Sequence, residues 1–484
     1  MDPQPFTRIL IRLGRGSALL ALLLVSACKG EPEREAPQPL PALAGPSTLL
    51  RLPRGGGRAV AYVPEDLREA GWTSAGDLGP LRRPLGADLD ERAVLAVDTA
   101  GNLVAVDLDT RSVRGSVVRG VVAATLAGDG SVYVVDATGT VTHLLRRMPT
   151  RFRASLPGPP SQLFGALNDR LVAVTTGEVP AVVVVEHDTE TEPYPVPPGE
   201  AAATLWADLL AIAADTAVVF YDAQRRMPRP SLRINGGARS VAFSPSGDRL
   251  YVARARPDLL VFDRFSLERM ATVELPSPAS AIRPDASGRW VMLRAEGGDS
   301  IDIVDAAVNR VVARLPGQWH EDLPLVAGAA TLILRHGDSV EAWDLSQATP
   351  QREGTIADGA KDFWSVIAWV PPARAVELAE AAETTAVVQD SAIVFGVIPP
   401  PDLGPPGRIF LQVSSSQNVD WARELARQLS AGGFPALVRD PQAADEGYRV
   451  LLGPYPSREV AEEAGRRLGR PYFVLTDPGA TDQR

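Results

Sequence analysis

Histidine, the side chain most often used as a metal ligand and general base, is scattered in this sequence. It occurs four times, at His143, His187, His320 and His336. No two of these histidines have the spacing of paired zinc ligands. The one dense polar cluster is His-Glu-Asp at 320–322, which we expect to be a solvated loop. The sequence therefore predicts no metal site and no cofactor.

Acidic residues recur at a regular place, where a β-branched run gives way to a polar turn. They are Asp107, Glu186, Asp222, Asp263, Asp305 and Asp344. Carboxylates in this position accept hydrogen bonds from turn amides, so we expect them to fix turns rather than to bind metal. Two Gly-Asp-Ser triplets, at 298–300 and 337–339, lack the flanking pattern of a nucleophile elbow. We predict no catalytic residues, and the chain is not expected to be an enzyme.

The apolar runs that precede these turns repeat along the chain. One equivalent position can be chosen in each repeat, giving Val94, Val132, Leu171, Leu210, Leu250, Trp290 and Leu332. Successive spacings are 38, 39, 39, 40, 40 and 42 residues. Such a regular period indicates a repeat protein, and each unit contains a hairpin with room for two further strands. The pattern predicts a mainly β chain that contains a seven-bladed β-propeller.

The clearest repeat unit covers residues 240–276. Its segment "FSPSGDRLYVA" resembles a blade of WD40-like and YVTN-type bacterial propellers, with 250–253 as the expected inner strand beside the channel. Two further apolar segments, 58–64 and 362–371, flank the repeats, and we expect one of them to complete a blade begun at the other end. An alternative remains open, in which the propeller is a hydrolase or lactonase-type enzyme with metal-binding carboxylates at its channel mouth.

The bulk composition limits the partners. The chain of 484 residues has a formal net charge of −10, which argues against a nucleic-acid surface built to neutralise phosphates. Its length allows two or more domains. Cys28 is the single cysteine, so the chain has no internal disulfide.

The position of Cys28 suggests a lipid anchor. Arginines at 8, 12 and 15 precede an apolar run of about ten residues, which is too short for a membrane span. The run ends in "VSAC", which resembles a bacterial lipobox and implies cleavage before Cys28 and lipidation of its side chain. We therefore expect a lipoprotein signal peptide at 1–27 and a tether at 28–46 that is rich in Pro and Glu. The implied location is the bacterial cell envelope, on the periplasmic face of the outer membrane.

The remaining boundaries follow from changes in composition. The propeller is assigned to 47–372 and a Pro-rich linker to 373–407, which ends in "PPPDLGPPG". A small module at 408–476 and a tail at 477–484 complete the division.

The small module alternates strands and helices in the order βαββαβ. Strand-like segments are "RIFLQVSS", "FPALVRD", "GYRVLLGPY" and "PYFVL", and helix-like segments are "NVDWARELARQL" and "SREVAEEAGRRLG". Ser416 or Asn418 can cap the first helix, and Gly432 or Gly433 can end it. This order predicts a ferredoxin-like α+β domain, with both helices on one face of the sheet.

The segments "FLQVSSSQNVDWARELARQLSAGGFPA" and "YRVLLGPYPSREVAEEA" resemble the SPOR domain, a peptidoglycan-binding module of bacterial envelopes. Ser414 and Gln417 depart from the glycine and aromatic residue that are usual in the family. The resemblance implies binding to glycan strands that lack stem peptides, as found at division septa.

Simple alternation along the strands predicts which residues face away from the helices. They are Phe410, Gln412, Ser414, Arg449 and Leu451. Polar groups for hydrogen bonds beside a flat apolar surface suit a sugar chain, so we expect these residues to bind glycan. The propeller is then expected to be a scaffold for an unknown protein partner. In an alternative, the SPOR-like module docks on a protein and has no affinity for the cell wall.

Overall fold

The computed structural model describes two stretches of the chain, 47–378 and 409–476. The first has short gaps at 89–90, 116–117, 128–129, 167–169, 187–188, 191, 205–206 and 329. The second has gaps at 417–418, 432–433, 442–447, 456–460, 462–463 and 465–472. The predicted signal peptide, the lipidation site Cys28, the tether, most of the linker and the tail lie outside these residues. The capping residues predicted for the first helix of the small module also lie outside, except for the backbone of Ser416.

The first stretch is built almost wholly from antiparallel strands. Its first half contains β1 (Thr48–Leu52), β2 (Val60–Tyr62), β3 (Glu69–Thr73), β4 (Leu81–Asp88), β5 (Ala93–Asp98), β6 (Leu103–Asp107), β7 (Val113–Gly115), β8 (Val121–Leu126), β9 (Val132–Asp136), β10 (Thr140–Leu145), β11 (Met148–Ser155), β12 (Pro160–Ala166), β13 (Arg170–Thr175), β14 (Ala181–Glu186), β15 (Thr189–Glu190) and β16 (Tyr194–Pro195). Its second half contains β17 (Ala201–Ala203), β18 (Leu209–Ala213), β19 (Ala217–Asp222), β20 (Met227–Arg233), β21 (Ser240–Phe243), β22 (Arg249–Ala253), β23 (Asp258–Asp263), β24 (Arg269–Glu274), β25 (Ala279–Pro284), β26 (Trp290–Ala295), β27 (Ser300–Asp305), β28 (Arg310–Pro316), β29 (Leu325–Ala327), β30 (Thr331–His336), β31 (Ser339–Asp344), β32 (Gln351–Ile356) and β33 (Phe363–Ile367). A helix, α1, follows at 372–378.

These strands form eight sheets within the described residues, and we number them as blades 1 to 8. Blade 1 has the strand order β3-β2-β1-β33. Blades 2 to 8 consist of β4–β7, β8–β11, β12–β16, β17–β20, β21–β24, β25–β28 and β29–β32. The β-propeller predicted from the repeat is therefore present.

The number of blades differs from the prediction, because the described sheets make eight blades rather than seven. The prediction that one flanking segment completes a blade begun at the other end is confirmed, but that blade is additional to the seven repeats. Strand β33, in 362–371, joins β1, β2 and β3 in blade 1, and β1 and β33 pair from Thr48↔Ile367 to Leu52↔Phe363. The repeat of about forty residues did not reveal this blade, because its first strand, β33, comes from the opposite end of the propeller segment from β1, β2 and β3.

The seven equivalent positions of the sequence repeat occupy the same strand in each of their blades. Val94, Val132, Leu171, Leu210, Leu250, Trp290 and Leu332 all lie on the second strand of a blade and are at most 2% exposed. The prediction that 250–253 is the inner strand is wrong, since β22 is second in blade 6 and β21 is first. Outer strands such as β20 are the most exposed, while apolar side chains of neighbouring blades pack face to face.

The second stretch forms a four-stranded sheet with helices. Its elements are β34 (Ile409–Ser416), α2 (Val419–Ala431), β35 (Ala436–Arg439), β36 (Tyr448–Tyr455) and β37 (Phe473–Thr476). Ala461 and Ala464, which belong to the second predicted helix, are helical and buried. The strand order is β35-β36-β34-β37 with antiparallel pairing throughout, as in the predicted ferredoxin-like domain.

Candidate functional site

The sheet of the second stretch has one face covered by helix. Apolar residues at helical spacing on α2 pack onto Leu411 and Val413 of β34 and onto Val450 and Leu452 of β36. The residues of α2 in this core are Ala422, Leu425, Ala426 and Leu429. Because side chains alternate along a strand, residues between these core positions belong to the opposite face. That opposite face is the candidate glycan site.

Gln412 and Arg449 occupy the candidate face as predicted. Gln412 pairs with Leu451, and Arg449 pairs with Arg439 on the adjacent strand. Gln412, Arg439 and Arg449 are all partly exposed. An amide and two guanidinium groups therefore lie on this face, and all of them can donate hydrogen bonds.

Phe410 and Leu451 do not provide the exposed apolar surface that the sequence predicted. Phe410 is 7% exposed and Leu451 is 0% exposed. The guanidinium carbon of Arg439 lies 5.4 Å from the centre of the Phe410 ring, within the range of a cation–π contact. In this arrangement the face available to a ligand carries the polar groups of Gln412, Arg439 and Arg449 beside two partly exposed leucines, Leu437 and Leu475.

Ser414 does not share the face of Gln412. The register of β34 shifts between Gln412 and Ser414, so that Ser414 pairs with Val450, whose side chain is in the core. A bulge of this kind places one extra residue, here Val413, in the strand and breaks the alternation. Ser414 is 4% exposed, and its Oγ donates a 3.5 Å hydrogen bond to the carbonyl oxygen of Ser246 in blade 6.

Val413 also contacts the propeller at this point. It lines a small cavity of about 10 Å³ together with residues of blades 6 and 7. The other lining residues are Ser244, Ser246, Asp248, Arg249, Tyr251 and Gly288. A cavity of this volume has room for about one water molecule. The bulged part of β34, Val413 and Ser414, therefore lies against blade 6 of the propeller.

Gly453 allows β36 to approach closely to Ile409 and Phe410, the first residues of β34. Its φ of +128° is a conformation that L side chains rarely adopt. A β-carbon at this position would lie 2.8 Å from the carbonyl oxygen of Ile409 and 3.1 Å from the Phe410 ring. This explains the glycine of the "GPY" motif in physical terms.

Among the residues that the structure describes, sequence reasoning missed three of the candidate face, Leu437, Arg439 and Leu475. All three are partly exposed, and they pair with Leu451, Arg449 and Phe410. The alternation of "FPALVR" contained this signal, because Ala436 and Val438 pack against the core and the residues between them must point the other way.

In the propeller, the recurrent acids fix turns as expected. Asp263 Oδ1 accepts hydrogen bonds from the backbone N–H groups of Phe265 and Ser266, at 2.9 and 2.7 Å. Corresponding backbone donors reach Asp107, Asp222, Asp305 and Asp344. Glu186 instead pairs with Arg170 and Arg226. Within the described residues, no group of three or more His, Cys, Asp or Glu could hold a metal ion.

The 320–322 cluster is not a purely solvated loop. The Asp322 side chain is 4% exposed and forms an ion pair with the fully buried Arg335. Burial lowers the pKa of His320, and the Arg335 charge lowers it further. Burial also lowers the pKa of Arg283, to about 10. Arg283 donates to the carbonyl oxygens of His320, Glu321 and Pro324, at 2.9 to 3.0 Å. This cluster joins blades 7, 8 and 1.

None of the helices in the described residues has both the length and the apolar character needed to cross a membrane.

Comparison with known proteins supports the two parts separately. Residues 405–474 match the SPOR domain family. No curated protein matches the chain in sequence.

Three solved structures illustrate the similarity of the propeller. The crystal structure of Citrobacter koseri AztD has 11% sequence identity and a TM-score of 0.50, covering 66% of this chain and 98% of AztD. The dihydro-heme d1 dehydrogenase NirN, in complex with DHE, has 13% identity and a TM-score of 0.47, covering 66% and 77%. The β-propeller domain of Myceliophteria thermophila Cps50 (Swd1) has 13% identity and a TM-score of 0.40, covering 57% and 96%. At this level of identity the AztD similarity concerns the fold alone. The chain therefore combines a β-propeller with a SPOR domain.

Proposed function

We propose that this protein is an envelope lipoprotein that binds peptidoglycan glycan strands through its SPOR domain and carries the propeller as a scaffold for a partner protein. The observation that carries the first part is the SPOR match at 405–474, together with the partly exposed polar face opposite α2. SPOR domains bind peptidoglycan, which supports the cell wall as the partner in general.

The chemistry of the face suits a glycan. Gln412 can both donate and accept hydrogen bonds, and Arg439 and Arg449 each present several fixed donors. Sugar hydroxyl and acetamido groups are matching partners. Phe410 and Leu451 are buried, so in this proposal they support β34 and β36, and the polar side chains make the contacts to sugar.

The membrane part of the proposal rests on the sequence. In this proposal the lipobox-like "VSAC" directs lipidation to Cys28, and the tether of 28–46 would span about 50 Å at about 3 Å per residue. A protein held by lipid at one side and by glycan at the other would connect the outer membrane to the wall. Action at division sites would follow if the glycan bound is the stem-peptide-free form.

The scaffold role rests on the propeller's construction. Eight blades of the described chain make a rigid ring, with turns at its surface that can vary without disturbing the core. In this proposal the propeller recruits a protein and carries out no reaction of its own.

Pelleting with purified sacculi tests the wall-binding part. Full-length protein without its lipid should sediment with sacculi, and more so after amidase treatment has removed stem peptides. Replacing both Gln412 and Arg449 by alanine should reduce the pelleted fraction. Arg427→Ala is the matched control, because Arg427 is exposed on α2, which covers the other face. Protein that stays in the supernatant with both kinds of sacculi would refute wall binding, and equal losses in the double variant and the control would refute the chosen face.

A further inference from the structure

A groove lies between blades 2 and 3, and the residues that line it all belong to these two blades. Its volume is about 270 Å³, and we name it the blade 2–3 groove. It is lined by Leu95, Leu103, Val104, Ala105, Arg114, Gly115, Arg146, Arg147 and Met148. Pockets for whole small molecules usually measure about 300–1,000 Å³, so this groove suits one or two side chains better than a cofactor.

The floor of the groove is apolar and continuous with the core. Leu95 and Leu103 are at most 1% exposed and pack in the cluster that joins blades 2 and 3. Ala105 and Gly115 keep the groove wide, because neither has a large side chain. A β-carbon added at Gly115 would meet nothing within 4 Å.

The rim of the groove is positively charged. The side chains of Arg146 and Arg114 are 83% and 56% exposed. Their ion pairs are long, since Arg146 Nε lies 3.9 Å from Glu91 Oε1 and Arg114 Nη2 lies 3.7 Å from Asp107 Oδ2. Glu91 makes its closer contact, of 3.0 Å, with Arg147. Within the described residues these two exposed guanidinium groups are thus only weakly neutralised, and each can donate hydrogen bonds to a carboxylate of a partner.

The turn that presents these arginines has an unusual backbone. Arg146 and Arg147 both have positive φ angles, of 49° and 62°. Two successive positive φ angles define a type I′ hairpin turn, which favours Asn-Gly or similar pairs. Left-handed backbone costs roughly 1–2 kcal/mol for such residues, and strain of this kind clusters at functional sites. Leu145 and Met148 flank the turn and are 50% and 62% exposed, so apolar and cationic groups lie together at its tip.

The sequence Arg-Arg-Met-Pro occurs at the same turn in two blades, at 146–149 and at 225–228. In blade 5, Arg226 contacts Glu186, which is also bound by Arg170. Only the copy in blade 3 lines the groove described above. The copy in blade 5 therefore provides a control with the same residues in another setting.

We propose that the blade 2–3 groove binds an extended segment of the partner protein in which an apolar side chain is followed by carboxylates. This inference rests on the scaffold role proposed above and names the surface and the chemistry of the partner. The apolar side chain would fill the groove above Leu95 and Leu103. The carboxylates would pair with Arg146 and Arg114 at the rim. Charge complementarity selects an acidic segment over a basic one.

Fluorescence anisotropy with short labelled peptides tests this directly. The probe is a peptide of alternating leucine and aspartate, and the comparison peptides alternate leucine with lysine and serine with aspartate. The full-length protein should bind the first peptide and neither of the others. Equal binding of the leucine–lysine or serine–aspartate peptide would overturn the proposal.

Two variants address the groove itself. Arg146→Glu should weaken binding of the leucine–aspartate peptide by about tenfold or more, as loss of an interface anchor does. Gly115→Leu should abolish binding by filling the groove, with the rim charges intact. Arg225→Glu, at the position of the blade 5 copy that corresponds to Arg146 and with a side chain that is 67% exposed, should leave binding unchanged. If Arg225→Glu weakens binding as much as Arg146→Glu, or if Gly115→Leu has no effect, the groove is not the site.

A failure of the groove proposal can be distinguished from a failure of wall binding. Arg146→Glu and Gly115→Leu should both sediment with sacculi like the unaltered protein. Loss of peptide binding with normal sedimentation is the expected result. Unaltered peptide binding in both variants would refute the groove as the peptide site. It would not contradict wall binding by the SPOR domain or a partner that binds elsewhere on the propeller.

Discussion

Arg335 and Asp322 form a buried bidentate ion pair at the junction where the propeller ring closes. Arg335 Nη1 and Nη2 donate to the two Asp322 carboxylate oxygens at 2.6 and 2.9 Å. Asp322 also accepts from the backbone N–H of Trp364 in β33 at 2.8 Å, and Arg335 Nε donates to the carbonyl oxygen of Ala360. The pair thus connects blade 8 to the strand that the end of the propeller segment adds to blade 1.

Breaking this pair should destabilise the propeller strongly. In Arg335→Met the Asp322 carboxylate stays buried without its cation, and loss of one partner from a buried pair costs about 3–5 kcal/mol. Urea unfolding should show a lower midpoint for Arg335→Met than for the unaltered protein. Tryptophan fluorescence can follow this transition, because Trp364 lies beside Asp322.

The exposed pair Arg58–Asp77 provides the control for that experiment. Its charged atoms are 3.6 Å apart, and its side chains are 61% and 75% exposed. Arg58→Met should change the free energy of unfolding by no more than about 1 kcal/mol. Similar effects of the two substitutions would contradict the structural role assigned to Arg335.

Protonation of Asp136 in acid should lower the stability of the propeller. Hydrogen bonds from the Thr138 hydroxyl, and from the Thr138 and Thr140 amides, lower the pKa of this carboxyl below its ordinary 3.8. Because the pKa is lower in the folded state, the stabilisation is present above pH 3.8 and is lost as the pH falls through the folded pKa. Urea midpoints between neutral pH and about pH 3 should fall less steeply for Asp136→Asn than for the unaltered protein. Parallel pH profiles would show that the turn does not depend on this charge.

Asp302 should have the opposite effect on the pH dependence of stability, because its pKa is raised rather than lowered. Its side chain is 0% exposed, Arg314 Nε lies 3.4 Å away, and neither carboxylate oxygen accepts a hydrogen bond from the described residues. Burial raises the pKa of Asp302, and the Arg314 charge offsets this only in part. The stabilisation is therefore complete below the ordinary pKa of 3.8, which applies to the unfolded chain, and is lost as the pH rises through the folded pKa. Asp302→Asn should raise the urea midpoint at pH 7 and have little effect near pH 3.

Asp258 serves as the contrast to Asp302. It lies on a third strand as Asp302 does, but both of its carboxylate oxygens accept hydrogen bonds from Arg254. Asp258→Asn should therefore lower the midpoint at pH 7. If both asparagine variants shift stability in the same direction, the explanation from burial and pairing is wrong.

The propeller could be predicted from the sequence where the repeat is local. Leu210, Leu250 and Trp290 occupy the same place in successive hairpins, so a fixed spacing reveals them. Blade 1 was not counted in this way, because its first strand, β33, comes from the far end of the propeller segment, and Leu50 and Ser365 pair across more than three hundred residues. The role of Asp322 was hidden for a different reason: its partners, the Arg335 side chain on β30 and the Trp364 amide on β33, lie 13 and 42 residues further along the chain, and strand alternation does not show these contacts.

The candidate site was predictable to the extent that the strands alternate. Gln412 and Arg449 lie on the expected face, and the alternation would also have found Arg439. Ser414 was misplaced because a bulge changes the register, and no residue type marks it. The burial of Phe410 and Leu451 depends on tertiary contacts that strand alternation does not contain.

Gly453→Ala should unfold the SPOR domain and spare the propeller. The substitution adds a β-carbon 2.8 Å from the Ile409 carbonyl oxygen, on a residue with a φ of +128°. Such a change destabilises by more than about 1 kcal/mol. Hydrogen exchange should increase in β34 and β36 but not in β5 or β9. Gly236→Ala, where φ is +90° and no atom lies within 4 Å of the added carbon, separates backbone strain from the clash.

Ser414→Ala should have no effect on wall binding by the full-length protein, in contrast to Gln412→Ala. The hydroxyl of Ser414 donates to the carbonyl oxygen of Ser246 in blade 6 and is 4% exposed, whereas Gln412 is partly exposed on the candidate face. Losing one long neutral hydrogen bond costs at most about 1 kcal/mol, so the fold should persist. Sedimentation with amidase-treated sacculi measures both variants side by side. If Ser414→Ala sediments as poorly as Gln412→Ala, Ser414 reaches the glycan, and the contact with blade 6 must open when the protein binds the wall.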